Sequence, residues 1–439
     1  MRQHQCRSAA VSTRRIWLAW AAGLCLLAVV AVFALAALNR LDETALPEHH
    51  AAAPATAELI AHGAYLARVG NCMGCHTQQG SPAYAGGRAI DTPFGAIYAP
   101  NLTPDDATGL GQWSAAEFWR AMHNGRSRDG RLLYPAFPYT SYTHVTRSDS
   151  DAIFAYLHSL PPVRQQNRTH ALSFPFNTQG ALAVWRALFF RPAAFPQQPA
   201  QSAEWNRGAY LVQGLGHCAA CHTPRNALGA LRADEQFHGG LIPVQNWYAP
   251  ALNSKNQAAL AGWPLEDAVA LLKTGVSPQA GVSGPMADVV FNSLQYLSDA
   301  DVRAMALYLR SLPQQDKPLP PTAKPTATQI EQGQKIYGQQ CVDCHGEQGQ
   351  GRRAAFPALA SNRAVMLADT TNLVRVLLQG GYLPATAGNP RPYGMPPFAQ
   401  SLKDDEIAAV LSYIRNAWGN AAPRVDTIDV YRARERRGF

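Results

Sequence analysis

Arg207–Thr223 reads RGAYLVQGLGHCAACHT, and the end of this stretch is the pattern C-x-x-C-H. The pattern is typical of covalent c-type haem attachment, in which each thiol bonds one vinyl group of a single porphyrin. The histidine that follows is then held on one face of the ring, where its imidazole can bind the iron. The same pattern occurs at Cys72–His76 and at Cys341–His345.

The alternative to haem is a thiol redox pair, or half of a zinc site, with a histidine beside it by accident. A chain of 439 residues with 8 cysteines and 13 histidines contains about 0.004 such patterns by chance. Three occurrences use six of the eight cysteines, and no C-x-x-C pair is left to complete a zinc site. We therefore predict three covalently bound haem c groups. The attaching thiols would be Cys72, Cys75, Cys218, Cys221, Cys341 and Cys344, and the proximal iron ligands His76, His222 and His345.

An internal repeat surrounds the motifs. His62–Leu66 reads HGAYL and Arg207–Leu211 reads RGAYL, and each precedes its motif. Gln332–Tyr337 (QGQKIY) is a more distant copy before the third motif. Repetition of this kind indicates one ancestral module used several times, and a length of 439 residues by itself predicts two to four domains. In each unit we expect a short helix to carry the motif and amphipathic helices to close the unit.

The N-terminal region predicts a membrane anchor. Arg14 and Arg15 precede Ile16–Leu38, 23 residues without a charge, which is long enough to cross a bilayer as a helix. The arginines favour a cytoplasmic N-terminus, so the rest of the chain would lie in the periplasm, on the outer side of a bacterial inner membrane. A cleaved signal peptide remains the alternative, although its apolar region is usually shorter. Cys6 and Cys25 are interpreted as unreactive bystanders.

The net charge of +8 is spread along the chain. No nucleic-acid module is recognisable, and a diffuse positive field suits an anionic partner or a membrane surface better. Two stretches show the acidic start and apolar spacing of amphipathic helices that would close their units. They are Asp299–Leu312 and Lys403–Trp418, and their aromatic residues Tyr308, Tyr413 and Trp418 are expected to pack against the haem modules. Ser114–Glu117 is a capping box that would open a further helix.

Electron-transfer haems usually have both axial positions filled, and a methionine opposite the histidine raises the potential. Met286 in the second unit and Met395 in the third stand in proline-containing loops, where a stiffened backbone presents a side chain at little entropic cost. We predict both as distal iron ligands, with core packing as the alternative.

The first unit departs from this pattern because Phe137 stands where a sulfur would be expected. The remaining candidates are Met122, which shares a helix face with Phe118, and His123 or His144. We predict Met122 as the distal ligand of the first haem, with an open or weakly ligated iron as the alternative.

The chain resembles the triheme cytochrome c subunits of membrane-bound bacterial dehydrogenases that oxidise alcohols, gluconate, sugars, aldehydes or nicotinate. The resemblance covers most of residues 60–420. The matching stretches are Ala85–Ile90 (AGGRAI), Thr92–Gly95 (TPFG), Asn101–Asp105 (NLTPD), Phe174–Asn177 (FPFN), Trp205–Leu211 (WNRGAYL), His217–Asn226 (HCAACHTPRN) and Gly284–Val290 (GPMADVV). A Phe at position 137 is more similar to the cytochromes that accompany molybdenum hydroxylases.

The resemblance implies a mainly α fold with three tandem class-I-like cytochrome c domains behind an N-terminal transmembrane helix. The predicted boundaries are 1–15 for the cytoplasmic N-terminus, 16–38 for the anchor, 39–57 for a tether, 58–197, 198–312 and 329–420 for the three domains, 313–328 for a Pro-rich linker and 421–439 for a basic tail. We call the three predicted domains the first, second and third units.

The leading functional hypothesis is an electron relay without substrate chemistry of its own, because cofactors of this kind carry the redox chemistry and the protein positions them. The resemblance implies a separate catalytic subunit of molybdenum, flavin or quinoprotein type as electron donor, and ubiquinone or a terminal oxidase as acceptor. The alternative is a peroxidase-like haem enzyme that uses an open sixth position at the first haem.

Overall fold

The computed structural model describes residues 13–41, 43, 55–315, 323–352 and 355–435. Parts of the predicted N-terminus with Cys6, of the tether with its histidines, of the Pro-rich linker and of the basic tail lie outside these residues. The described chain is largely helical, with three small antiparallel sheets.

The first helix, α1, spans Thr13–Leu38. Its segment Ile16–Leu38, of mean hydropathy 2.7, is long and apolar enough to cross a membrane, and none of its most apolar window is buried in the protein. Leucine, valine, phenylalanine and tryptophan side chains along it are exposed, as expected for a helix whose apolar surface requires an apolar surrounding.

The described part of the first unit contains six helices and three short strands. A two-residue strand from the end of the unit extends the β-hairpin that follows the motif helix, pairing Gly95 with Leu172. The elements are α2 (Ala57–Val69), α3 (Cys72–His76), β1 (Ala89–Thr92), β2 (Gly95–Tyr98), α4 (Ala115–Asn124), α5 (Tyr139–Tyr142), α6 (Arg147–His158), β3 (Ala171–Leu172) and α7 (Gln179–Phe189).

The second unit repeats this order with a two-stranded hairpin in which Gly240 pairs with Ala249. Single 3-10 turns lie at Ala233–Glu235 and Leu294–Tyr296. The elements are α8 (Ala203–Gln213), α9 (Ala219–His222), β4 (Gly240–Ile242), β5 (Trp247–Ala249), α10 (Leu265–Thr274), α11 (Pro285–Asn292) and α12 (Asp299–Arg310).

The third unit has the same first and closing helices, and its hairpin lies later in the chain, where Gly381 pairs with Met395. The elements are α13 (Ala327–Gln340), α14 (Val342–His345), α15 (Arg363–Met366), α16 (Thr371–Gln379), β6 (Gly381–Tyr382), β7 (Gly394–Met395) and α17 (Asp404–Ile414). A last helix, α18 (Thr427–Glu435), lies in the predicted basic tail and packs on α17, and its residue Val430 is buried in the core of the third unit.

One helix crossing is repeated in all three units. The helix before each motif packs against the closing helix, in the pairs α2 with α6, α8 with α12 and α13 with α17. A glycine lies at each crossing, and a Cβ atom added to it would collide with a carbonyl oxygen of the closing helix. The distance would be 1.8 Å between Gly63 and Ala152, 1.9 Å between Gly208 and Ala304, and 2.3 Å between Gly333 and Ala409. The glycine of the repeat is therefore explained by close backbone approach.

The tyrosine of the repeat joins the first two units reciprocally. Tyr65 in α2 donates a 2.6 Å hydrogen bond to Asp301 at the start of α12, and Tyr210 in α8 donates one of 2.6 Å to Asp149 at the start of α6. Arg207 holds Asp301 through two further hydrogen bonds of 2.8 Å. Each tyrosine thus crosses to the closing helix of the other unit.

The buried side chains of the described chain form two separate cores. One runs continuously from Leu66 in the first unit to Leu312 in the second, and the other lies between Ile336 and Val430 in the third. In the third unit Lys335 replaces the tyrosine of the repeat. The third unit, which has its own core, therefore lacks the tyrosine that links the first two units. The described chain therefore forms a double unit and a single unit.

Polar contacts fix the third unit to the second. The side-chain amide of Asn372 bonds both the backbone N–H and the carbonyl of Tyr248, at 2.8 and 2.7 Å. Arg363 donates to the carbonyl of Ala259 at 2.7 Å, and its guanidinium lies 5.2 Å from the ring centre of Trp263.

The predicted helices are present, and two are shorter than expected, since the helix predicted for Asp299–Leu312 ends at Arg310. The Ser114 capping box opens α4, and α12 begins at Asp299 as predicted. The helix predicted for Lys403–Trp418 ends at Ile414, and Trp418 follows with a left-handed φ of 53°. The three aromatic residues pack against the motif-bearing modules as predicted: Tyr308 on Trp205, and Tyr413 and Trp418 on Tyr337.

Candidate haem sites

The three C-x-x-C-H motifs form short helices at equivalent places, directly after the long first helix of each unit. Of the six motif cysteines, all except the buried Cys341 are at least partly exposed at the surface of their unit. The sequence predicts a short motif helix in each unit, and the structure has one in each.

Each motif histidine is oriented by the same contact. The Nδ1 atom of His76 lies 2.8 Å from the carbonyl oxygen of Pro100, that of His222 lies 2.7 Å from Pro250, and that of His345 lies 3.0 Å from Pro357. A carbonyl accepts a hydrogen bond, so Nδ1 carries the proton and Nε2 presents its lone pair. Metal-binding histidines in proteins are held in this way.

Burial keeps these imidazoles neutral. The pKa of His76, His222 and His345 is lowered, because desolvation of the ring disfavours the charged form more than the proline carbonyl favours it. A neutral imidazole is the form that binds iron. The chemistry of the donor set therefore fits the proximal side of a haem.

The three prolines were not singled out from the sequence, although a signal was present. Each motif is followed by a Pro-x-Leu triplet: Pro100-Asn-Leu, Pro250-Ala-Leu and Pro357-Ala-Leu. Proline has no N–H to donate and holds its φ fixed, which suits a residue whose carbonyl has to point at the histidine.

The first thiol of each motif has a raised pKa. Burial raises the pKa of Cys72 and Cys218 to about 12 and that of Cys341 to about 11, and the second cysteine of the same motif adds to each shift. Reactive C-x-x-C pairs have lowered thiol pKa values instead. The first thiol of each motif therefore differs from that of a reactive redox pair in the direction of its pKa shift.

The first and second motifs lie side by side. Burial raises the pKa of the Cys221 thiol, and the guanidinium of Arg225 lowers it. Cys75 of the first motif also raises this pKa, which means that the two thiols are close enough to interact electrostatically across the unit boundary. Nearby, the ring of Tyr142 lies 5.6 Å from that of His217 in a T-shaped contact. Two cofactors attached here would be close neighbours.

Met286 and Met395 both lie at the edge of a core. Met286 is half-buried against the core of the double unit, near the start of α11. Gly284 before it has φ 54°, and a Cβ atom there would lie 2.6 Å from the Trp247 ring, so only glycine fits this approach. Met395 in β7 is half-buried against the core of the third unit. Ligation of iron by either sulfur stays a prediction.

The candidates in the first unit have different surroundings. Met122 is 4 % exposed and its sulfur accepts a hydrogen bond from Ser150 in α6 at 3.8 Å, a contact that favours core packing. Phe137 packs on Tyr142, whose hydroxyl donates to the Gly70 carbonyl just before the motif. Phe137, rather than Met122, is thus linked to the motif by contacts, and ligation by Met122 stays a prediction.

The two histidine candidates also differ. His123 is stacked on Trp119 and its Nδ1 lies 2.8 Å from the Thr143 carbonyl. The Nδ1 of His144 is buried, and burial lowers the pKa of this imidazole, while interactions with the backbone of Ala193 and Ala194 partly oppose the shift. The Nδ1 contact of His123 is of the same kind as that of the motif histidines, and ligation of iron by either His123 or His144 stays a prediction.

A further observation fits a bound cofactor in the second unit. The indole Nε1 of Trp263, a residue 4 % exposed, is buried and finds no acceptor among the described residues. A buried donor of this kind requires a partner. A haem propionate is a chemically suitable acceptor.

Comparisons with known proteins agree with this picture. The family described as Cytochrome c matches residues 60–161 and 330–418. The chain is 39 % identical over 425 residues to the cytochrome c subunit of alcohol dehydrogenase (quinone) from Gluconacetobacter polyoxogenes, covering 92 % of this chain and 89 % of that protein. It is 37 % identical to the gluconate 2-dehydrogenase cytochrome c subunit of Pantoea cypripedii, covering 83 % and 86 %.

A third relative is longer. One of the subunits of nicotinate dehydrogenase from Pseudomonas putida is 42 % identical over 395 residues, which are 87 % of this chain and 33 % of that protein. The present chain therefore spans about a third of the length of this relative.

Proposed function

The chain belongs to the family of cytochrome c subunits of alcohol, gluconate, fructose and nicotinate dehydrogenases, and from this premise we propose that it is a triheme electron relay. One haem c would be attached in each unit, through Cys72 and Cys75, through Cys218 and Cys221, and through Cys341 and Cys344. Bound haem supplies reversible one-electron chemistry of the iron.

The observation that carries the proposal is the threefold contact between a motif histidine and a proline carbonyl. It leaves Nε2 free in all three units, so His76, His222 and His345 would bind iron. Met286 and Met395 would bind on the distal side of the second and third haems, and Met122 on that of the first.

The arrangement of the units supports a relay. The first two motifs adjoin across a shared core, and Asn372 and Arg363 fix the third unit to the second. A rigid frame keeps the distances between cofactors constant, which is what the protein contributes to such chemistry. The donor would be a molybdenum, flavin or quinoprotein catalytic subunit, and the acceptor ubiquinone or a terminal oxidase.

We place the units in the periplasm, on the outer face of the bacterial inner membrane. The support is α1, whose segment Ile16–Leu38 is exposed along its length and sufficiently apolar to span a bilayer. Arg14 and Arg15 before it favour a cytoplasmic N-terminus.

The count of cofactors is tested by intact mass and by haem absorbance of the purified full-length protein. Three haems per chain are expected. Replacing His345 by Ala should abolish normal axial ligation of one haem and leave the other two spectra unchanged, and fewer than three haems in the native protein would refute the triheme assignment.

The relay is tested by capturing the chain from its native membrane under mild solubilisation. Mass spectrometry of co-eluting chains should identify a stoichiometric dehydrogenase subunit, and quinone-reduction assays with alcohols, sugar acids and aldehydes would then define the substrate. A chain that elutes alone and reduces peroxide would contradict the proposal.

A further inference from the structure

Helix α7 exposes an apolar face that no described residue covers. Val184 and Leu188, four residues apart and hence on one side of the helix, are 43 % and 62 % exposed, and Phe189 is 37 % exposed. Two neighbours extend this face. Phe174, in the turn that leads into the helix, is 81 % exposed, and Leu228, whose carbonyl accepts a hydrogen bond from an indole of α7, is 44 % exposed.

The face is free of charge. Arg186 carries the charge within α7, and it is 3 % exposed and turned into the protein, where its guanidinium lies 4.9 Å from the Phe190 ring. Arg191 follows directly after the helix and is exposed. The exposed side of α7 is therefore apolar, with one basic residue just beyond its C-terminal end, and a helix with an exposed apolar face can lie in the surface of a membrane.

The end of α1 is fixed to this helix. Asn39 follows the apolar span directly, is 9 % exposed, and its side-chain amide donates to the carbonyls of Leu35 in α1 and Ala183 in α7, at 2.9 and 3.0 Å. Arg186 donates in return to the Asn39 side-chain oxygen at 3.0 Å. One buried asparagine therefore joins the last turn of α1 to the middle of α7.

An ion pair secures the same junction. Arg126 donates to the Asn39 carbonyl at 2.8 Å, and its Nε lies 2.7 Å from a carboxylate oxygen of Glu43. Both charged side chains are 17 % exposed. The chain leaving α1 is thus bonded to the first unit within five residues of the apolar span.

From this geometry we propose that α7 is a second membrane contact, which lies in the headgroup and upper acyl region of the bilayer with Val184, Leu188 and Phe189 immersed. The occupant of the face is the lipid that surrounds α1, because Asn39 marks the level at which the apolar span ends and holds α7 there. The inference rests on the proposed anchoring of α1 in the membrane.

Protection of a thiol from a water-soluble reagent tests the proposal. Full-length holoprotein is reconstituted at one copy per nanodisc of phosphatidylcholine and phosphatidylglycerol, without other subunits, and treated with a membrane-impermeant maleimide. Leu188→Cys is compared with Tyr382→Cys, a matched position 74 % exposed in the third unit, both in a background with Cys6→Ser and Cys25→Ser. The native Cys25 in α1, measured in a chain with Cys6→Ser alone, serves as a separate depth reference.

We expect Leu188→Cys to react roughly tenfold or more slowly than Tyr382→Cys, because the reactive thiolate is strongly disfavoured away from water. Equal rates, with Cys25 still protected, would overturn the inference and leave the anchor intact. Free reaction of Cys25 would instead refute the anchor, and the inference with it. A Leu188→Cys thiol that reacts in nanodiscs and becomes protected when a dehydrogenase subunit is added would show that the face binds this partner and not lipid.

Discussion

At the scale of single residues, the site depends on which ring nitrogen of each motif histidine carries the proton. A hydrogen bond from Nδ1 to a proline carbonyl fixes both the tautomer and the ring plane of His76, His222 and His345. The contact thereby directs Nε2 of each ring towards the position of a metal ligand, which is how backbone carbonyls orient metal-binding histidines.

Met286→Ala should lower the midpoint potential of one haem, since a methionine ligand stabilises the reduced iron. Spectroelectrochemical titration of the purified holoprotein measures this. Met305→Leu is the matched control, because Met305 is 1 % exposed within the core of the same unit. An unchanged potential for Met286→Ala would remove Met286 as a ligand.

At the scale of elements, a single crossing of two helices builds each unit. The first helix lies so close to the closing helix that a glycine is required at the contact, and this closeness places the motif at the end of the first helix beside the core. The same pair of helices therefore recurs where the intervening loops differ in length and structure.

Two glycines in α13 test the importance of this crossing. Gly333→Ala should destabilise the third unit by about 1–3 kcal/mol, the usual cost of overpacking, because the added methyl would meet the Ala409 carbonyl at 2.3 Å. Gly338→Ala, at an exposed position of the same helix with no atom within 4 Å of the added methyl, should stabilise by about 0.5–1 kcal/mol. Denaturant unfolding measures the stability of both variants. A change in the same direction for both would refute this explanation.

At the scale of the whole molecule, two units share one core and the third has its own. The difference follows from the tyrosine of the repeat, which reaches Asp301 or Asp149 of the opposite unit in the first two copies and is replaced by Lys335 in the third. The two units joined by these contacts are also the two whose motifs adjoin.

Tyr65→Phe should lower the free energy of unfolding of the double unit by about 1.5–3 kcal/mol, the range for hydrogen bonds to charged groups. Tyr210→Phe should have a similar effect through Asp149. Tyr431→Phe, at a position 51 % exposed, is the control. If either variant unfolded at the same denaturant concentration as the native protein, the hydrogen bond that it removes would have no role in stability.

The same network predicts a loss of stability in acid. Burial raises the pKa of Asp301, but the hydrogen bonds from Arg207 and Tyr65 outweigh it and hold the pKa below its ordinary value. The stabilisation is therefore complete above the ordinary aspartate value of about 4 and is lost as the pH falls through the lower folded value. Asp301→Asn should show a shallower dependence of unfolding free energy on pH below about 4, and an identical slope would contradict this role.

The sequence by itself predicted the chemistry and determined much of the local structure. Three C-x-x-C-H motifs, the capping box at Ser114 and the acidic start of α12 are local patterns, since a few neighbouring residues decide each of them. The repeated H/R-G-A-Y-L stretch likewise revealed a shared module. The apolar span Ile16–Leu38 needed length and composition alone.

Tertiary structure decided which units share a core and what surrounds each candidate ligand. The Tyr65–Asp301 contact joins residues 236 positions apart, the prolines lie 12 to 28 residues from their histidines, and Met122 meets Ser150 on another helix. Local pattern carries no information on such partners, because they depend on how the chain packs against itself. For the same reason, the attachment of α7 to the end of α1 through Asn39 became visible only when both helices were in place.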